Sequence, residues 1–446
     1  MGRSILQYYL GRFEAKDRPK PLAGRRGVGM EAKFCIADPQ GRGVNGACLQ
    51  GLFRGLEEKG WTPSVDSNLG IPTGAKKDGL PCPAFISTGT GHCKVELSVP
   101  YGKTLQELES NFLSMTGDAK CCADAQEIEF LCLGVHPVIE PHPSLVQKKE
   151  RHIFWDQAFH TGLVHLFALS ADCQVHVDVE AEEVHKALNV FQGFAGAQIA
   201  LTANATIWKE AVDPEYLDVR EAFWDWWLPD EERAGVVSVP FASLEDYVER
   251  LASLRPVFVE RGGRSLGIYH YASFRDYYLS SGKAWGISAE RERVPLEAQE
   301  KDIDLHDTFN WYAARLSRYC TVENRANCQQ PREDIMAVPA LTLGLMENLD
   351  GALSCLDEYD WSSLRRSRSQ AMRTGLETTV DGNPLSRLCR SMLEIAQKGL
   401  ASRGCGEETY LAALWERLEG ERCPAAEARN VFREGGLQAL LERYSL

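Results

Sequence analysis

A carboxylate and a guanidinium two residues apart on an extended strand project from the same side. The stretch Tyr319–Pro331, Y-C-T-V-E-N-R-A-N-C-Q-Q-P, has that spacing. Thr321, Glu323 and Arg325 alternate with Val322 and Asn324, so on a strand a hydroxyl, an acid and a base share one face. An acid and a base held together suit a buried polar site. The same spacing on a solvated sheet would be an ordinary cross-strand ion pair. The alternation recurs at Gly29–Phe34, with Glu31 and Lys33 between Met30, Ala32 and Phe34, and at Cys93–Val99, with Lys94, Glu96 and Ser98 between Val95, Leu97 and Val99. It recurs again at Cys173–Glu180, where Gln174, His176 and Asp178 alternate with three valines. Each strand offers an apolar face for helices to cover and a polar face rich in ligand atoms of the kind that hold metals. Four such strands imply one antiparallel sheet whose polar face lines a cleft.

The elements that would position these strands can be placed from periodicity. Pro331 opens an apolar run over Arg332–Leu349 at helical spacing, with Pro339 expected to kink it. Asn45–Gly60 reads as a helix closed by Gly60, and Thr104–Met115 as a helix capped by Thr104 with Glu107 completing a capping box. Ala181–Ala203 reads as one long helix over the sheet. A Pro- and Arg-rich stretch, Arg18–Arg26, links a short N-terminal helix to the first strand. Helical periods dominate from Ala352 onward. The expected fold class is α+β: a curved antiparallel sheet with helices on its outer face, forming a body over 1–355, and a helical C-terminal region over 356–446 packed on it.

A formal net charge of −14 argues against a nucleic-acid partner or an anionic membrane surface. No apolar run reaches the length of a membrane span and no basic-then-apolar leader opens the chain, so a cytoplasmic enzyme is expected. Fourteen cysteines without such a leader read as reduced thiols, and Cys82, His92 and Cys93 lack the paired spacing of a structural zinc site. Gly102-Lys103-Thr104 is no P-loop, because Leu97 stands where its first glycine belongs, and Lys94 interrupts any dinucleotide fingerprint begun by Gly89 and Gly91.

The chain resembles the glutamate–cysteine ligases of the plant and proteobacterial type. Arg26–Phe34 looks like that family's opening strand, Gly60–Gly79 (G-W-T-P … G-A-K-K-D-G) like its next hairpin, and V-E-L-S at Val95–Ser98 like its F-E-L-S strand. Cys173–Val179 is similar to the next strand, Ala200–Ala205 with Arg220 to an A-L-x-A-N-S … R segment, and Arg315–Leu349 to the strand carrying E-x-R and its following helix. Ala396–Gly404 and Cys423–Ala426 resemble C-terminal family segments.

The resemblance implies a glutamine-synthetase-like sheet funnel, with ATP and Mg²⁺ bound over it and small-molecule amino-acid substrates joined through an acyl phosphate. It places Glu31, Glu96 and Glu323 as metal ligands and Gln174 or His176 as metal- or nucleotide-facing. Arg325 falls at the acyl phosphate or substrate carboxylate, and Arg220 near the triphosphate; the bland alternatives are Arg220 stacked among Trp224, Trp226 and Trp227 and His176 as a core histidine. Two departures stand out. The family's E-x-E on the first strand reads Glu31-Ala32-Lys33 here, placing Lys33 among the catalytic candidates, and Asn327 is the nearest stand-in for a later aspartate that would face the nucleotide. The expectation is therefore γ-glutamylcysteine synthesis. The alternatives are the same chemistry on another carboxylate and amine, a peptide included, or a degenerate ligase without activity.

Overall fold

Glu31, Glu96, His176 and Glu323 can share a face only if their strands pair, and they do. The computed structural model describes residues 4–15, 25–79, 81–228, 233–280 and 282–446, so the linker expected over Arg18–Arg26 lies mostly outside the described residues. Among the described residues the main sheet has nine strands: β1 (Val28–Ala37), β2 (Thr62–Val65), β3 (Pro72–Lys77), β4 (Ala84–Ser87), β5 (Lys94–Gly102), β6 (Glu129–Leu131), β7 (Cys173–Asp178), β8 (Ala314–Leu316) and β9 (Thr321–Asn324). They run β8-β9-β7-β1-β5-β4-β3-β2, with β6 beside the far end of β1, and all neighbours are antiparallel. The expected α+β class with a large antiparallel sheet is the observed one.

Period-2 alternation puts Met30, Ala32, Phe34, Val95, Leu97, Val175, Val177 and Val322 on one face, and all are buried. Fully burying each of the larger ones contributes roughly 1.5–3 kcal/mol, which fixes the register, since a one-residue slip would turn every charge inward. Helices Leu105–Asp124, Val184–Gly193 and Ala337–Glu347 cover that face. Behind them Leu385–Arg403 packs on Ala337–Glu347 so closely that a Cβ added at Gly399 would sit 2.0 Å from the carbonyl oxygen of Gly344. Among C-terminal groups, Arg417 clamps the chain after β9, donating to Gln330 Oε1 at 2.7 Å and Asp334 Oδ2 at 2.7 Å.

Local structure departs from expectation where chain geometry outweighs periodicity. Arg332–Leu349 is not one kinked helix: a 3₁₀ turn at Arg332–Asp334 precedes helix Ala337–Glu347, and Asn348 separates it from Leu349–Leu356. Pro339 sits in the first turn of Ala337–Glu347, where its missing N–H has no intrahelical carbonyl to lose. Ala181–Ala203 is likewise split, into Val184–Gly193 and Ala195–Thr202, with Gly193 and Gly196 pressed against Leu356 and Ser367. Thr104 does cap its helix, accepting from the backbone of Glu107, but the Glu107 carboxylate reaches Lys103 N, one residue outside a capping box. A second, four-stranded antiparallel sheet spans 258–296. No helix of the described residues is long and apolar enough to cross a membrane.

Candidate active site

Register converts the sequence spacing into a constellation. Lys33 lies opposite Glu96, Glu31 opposite Gln174, and Glu323 opposite both His176 and Arg315. The Lys33 ammonium donates to Asp172 Oδ1 at 2.9 Å and lies 3.5 Å from Glu31 Oε2 and 3.9 Å from Glu96 Oε2. His176 Nε2 is 3.6 Å from Glu31 Oε1, while its Nδ1 meets the Thr321 hydroxyl at 3.0 Å. Glu323 is fully buried between two guanidiniums, accepting from Arg315 Nε at 2.5 Å and from Arg325 Nη1. Gln174 spans the gap: its amide donates to Asp172 Oδ2 at 3.1 Å and accepts from Arg325 at 3.3 Å.

Arg220 arrives from helix Val219–Trp227, whose first turn is fixed by Asp218 accepting from Glu221 N. Its guanidinium donates to Asp172 Oδ2 at 2.9 Å, Glu221 Oε1 at 2.6 Å and the carbonyl of Arg325 at 2.9 Å. These partners, not the tryptophan faces, hold it. Arg220, Trp224, Trp311 and Arg325 line a small cleft beside the polar face.

Burial and charge act in opposition here. For Asp172 and Glu323 burial favours the neutral acid, but the cations win: Lys33 and Arg220 on Asp172, Arg315 and Arg325 on Glu323, holding both carboxyls well below the usual range. Glu31 is also lowered, burial being outweighed by His176 and Lys33. Glu96 goes the other way, because burial prevails over a Lys33 ammonium that stands too far off for a hydrogen bond.

One expected residue is not at the site. Asn327 is turned to the helix side, donating to Gln198 Oε1 and accepting from the Thr202 hydroxyl, both at 3.1 Å. The resemblance offered Asn327 as the stand-in for an aspartate, but β9 ends at Asn324 and the chain beyond it carries Asn327 to the other side. Asp172, Arg315 and Lys94 are site-building residues that the sequence reading passed over. Extending the β7 alternation one step upstream from Gln174 would have found Asp172. Lys94 is buried and donates to the carbonyls of Phe167 at 2.6 Å and Ser170 at 3.3 Å, pinning the loop that delivers Asp172.

Donor chemistry tests the metals that the resemblance implies. One carboxylate oxygen each from Glu31 and Glu323 and a nitrogen of His176 lie within 4.8 Å of one another, a donor set that fits one divalent ion. The Glu31–Glu96–Asp172 side does not fit a second, because the Lys33 ammonium already stands among those carboxylates. Glu31, Glu96, Asp172 and Glu323 are matched in number by Lys33, Arg220, Arg315 and Arg325, so the face is far less anionic than its carboxylates alone suggest.

A family model described as glutamate-cysteine ligase family 2 matches residues 85–443. The chloroplastic glutamate–cysteine ligase of Solanum lycopersicum is 25% identical over 347 residues, covering 76% of this chain and 64% of that enzyme. The chain thus spans somewhat under two thirds of that relative. Glutamate–cysteine ligase B, chloroplastic, of Oryza sativa subsp. japonica is 24% identical over 397 residues, covering 86% and 75%. A crystal structure of glutamate–cysteine ligase from Francisella tularensis in complex with AMP superposes with a TM-score of 0.59 at 11% identity, covering 94% of this chain and 87% of that one. A bifunctional glutathione synthetase from Pasteurella multocida gives 0.50 at 12% identity, covering 100% and 53%. At such identities the structures speak for the fold; the family model, which spans most of the sequence, speaks for the lineage. The chain belongs to glutamate-cysteine ligase family 2.

Proposed function

We propose that this protein is an ATP-dependent carboxylate–amine ligase that activates the γ-carboxylate of glutamate and joins it to the amine of cysteine. The observation that carries the reading is the convergence of Glu31, Lys33, Glu96, Glu323 and Arg325 on one sheet face, beside a cleft lined by Arg220 and Trp311. A carboxylate is a poor electrophile until one oxygen becomes a leaving group, and a phosphoryl group taken from ATP makes it one. The amine then attacks the acyl carbon and phosphate departs.

Each residue has a task in that scheme. Arg325 and Arg220 stabilise negative charge on the transferred phosphoryl group and the substrate carboxylate. Glu323 and Asp172 hold those guanidiniums in place, and Gln174 sets the distance between them. Lys33 supplies a fixed positive charge where a metal ligand would otherwise stand. Glu31, His176 and Glu323 would hold a divalent ion such as Mg²⁺, which when bound neutralises phosphate charge. In this reading 1–355 is the catalytic body and 356–446 its helical support.

A second reading keeps this chemistry on another carboxylate and amine, a peptide substrate included; Lys33 among three carboxylates favours it. ADP release measured with glutamate and a panel of amines separates the two. Turnover with cysteine is the expected result. Turnover only with other pairs moves the assignment to the second reading, and none with any pair leaves a non-catalytic ligase fold.

A further inference from the structure

Beyond Glu96 the polar face meets a second group of cations, held by the β4–β5 hairpin and by the helix Glu150–Phe159. The hairpin residue Gly89 has φ +57°, and a Cβ built there would lie 3.6 Å from Glu96 Oε2. Its carbonyl faces Lys149 Nζ at 3.5 Å, and Gln147 donates to the Thr88 hydroxyl at 2.7 Å. The helix is fixed from its other side: Glu150 accepts from Arg264 Nε at 2.6 Å and from Ser265 N at 2.8 Å. Lys149 and Arg151 are thereby held at the edge of the site without an ion pair among the described residues.

Arg151 is the unusual member. It is half-buried, its Nε–H is closed to solvent, and no group of the described residues accepts from that N–H or forms an ion pair with this side chain. Glu96, Asp66 and Glu260 act on it only from a distance. A guanidinium N–H cut off from water without an acceptor costs stability, so chains normally supply a carboxylate, and no described residue does so here. The neighbouring polar atoms are in the same condition: the indole N–H of Trp155, a donor, and Gln147 Oε1 and His152 Nε2, both acceptors, are buried without a partner among the described residues. Arg151 and Trp155, four residues apart, share a helix face, and Trp155 meets Trp311 edge-on at 6.2 Å. Trp311 lines the Arg220–Arg325 cleft, so the unpaired N–H groups of Arg151 and Trp155 are continuous with the site. Lys149 shows the strain of the arrangement: burial and the adjacent Arg151 pull its ammonium down to about 8.

We propose that Lys149 and Arg151 bind the carboxylate of an amino-acid substrate at the Glu96 end of the polar face, opposite the Arg220–Arg325 cleft. This rests on the ligase reading above, and it divides the labour between two cationic ends that flank the acidic centre. The Arg220–Arg325 end serves the nucleotide and the group transferred from it. The Lys149–Arg151 end selects a substrate by its carboxylate, and the planar fork of Arg151 favours a bidentate grip.

Calorimetry on the full chain tests it, with L-glutamate, L-cysteine and cysteine methyl ester as probes and a non-hydrolysable ATP analogue with Mg²⁺ as control. Arg151→Met is expected to weaken one of the two amino acids about 100-fold, the size of a lost charge-assisted hydrogen-bond pair. Lys149→Met is expected to weaken it less, and Arg151→Lys to restore part of the loss. The ester and the nucleotide analogue should stay within about twofold, and the melting temperature of Arg151→Met should hold or rise, since no protein anion loses a partner. Unchanged affinity for both amino acids in Arg151→Met overturns the proposal. So does a loss confined to the nucleotide analogue, which would make this a phosphate site, or a wild type that binds neither amino acid. If amino-acid binding depends on Arg151 but no pair of substrates releases ADP, the carboxylate site stands and the ligase reading falls.

Discussion

The two faces of β9 and the chain that follows it carry polar groups of opposite kinds. On the site face, Glu323 and Arg325 are charged, cross-paired with Arg315, and open on one side to a cleft. On the helix face, Asn324 donates to Gln198 at 2.7 Å and to Thr342 at 2.9 Å, while Asn327 bonds Gln198 and Thr202. The neutral face is closed by its own chain. The charged face is closed only in part, and its cations can exchange a protein carboxylate for a substrate anion. A neutral amide network can fix strand position without competing for ligands, whereas an ionic one on that side would have drawn the site charges inward.

If that division holds, Glu323→Gln is the most damaging single change. It leaves Arg315 and Arg325 buried against a neutral amide, at a cost of about 3–5 kcal/mol in urea unfolding. Catalysis should fall by about a thousandfold or more, because Arg325 loses the partner that aims it. An unfolding midpoint close to wild type would mean the two guanidiniums find other anions, and the contrast between the faces would fail. Arg325→Ala comes next: turnover should drop about two to three orders of magnitude, with a smaller stability change, since Arg315 still neutralises Glu323. Wild-type turnover there removes Arg325 from the chemistry.

Asn327→Ala sharpens the comparison from the other side. Gln198 and Thr202 lose a buried partner, a loss of about 1–3 kcal/mol in stability. Turnover per folded molecule should stay at the wild-type value, and a fall in turnover without a fall in stability would return Asn327 to the site.

Much of the site was legible because β-strand alternation is a hard geometric rule. Glu31 with Lys33, Glu96, Gln174 with His176, and Glu323 with Arg325 all land on one face once the sheet forms. The rule stops where the strand stops: it says nothing of Asn327, which the resemblance offered and which lies past the end of β9, and Asp172 is found only by carrying it one step past β7 into a loop. Arg315 was hidden for another reason: pairing across the β8–β9 hairpin depends on a turn in which Cys320 takes φ +57°, a conformation that its residue type does not advertise. Helix limits failed where close packing, not periodicity, decides, as at Gly193.

The acid side of the pH profile divides the carboxylates of the charged face by how well the chain has already paired them. Asp172 binds its proton less readily folded than unfolded, so its stabilisation is present above about pH 4 and lost as pH falls through its depressed folded value. Asp172→Asn should therefore abolish part of the wild type's advantage at neutral pH, with the two curves converging in strong acid.

Glu96 has the opposite sign and the smallest effect. Its folded carboxyl holds a proton more tightly than the unfolded one, since burial outweighs a Lys33 ammonium 3.9 Å away. Ionised Glu96 thus costs stability that is absent below the unfolded value near pH 4 and appears as pH rises through the folded value. Glu96→Gln should raise the urea midpoint at pH 7 and leave it unchanged at pH 4. A lowered midpoint at pH 7 would show that Lys33 already neutralises Glu96. A raised one would single it out as the carboxylate of this face least satisfied by its own protein, and so the one with most to gain from a ligand.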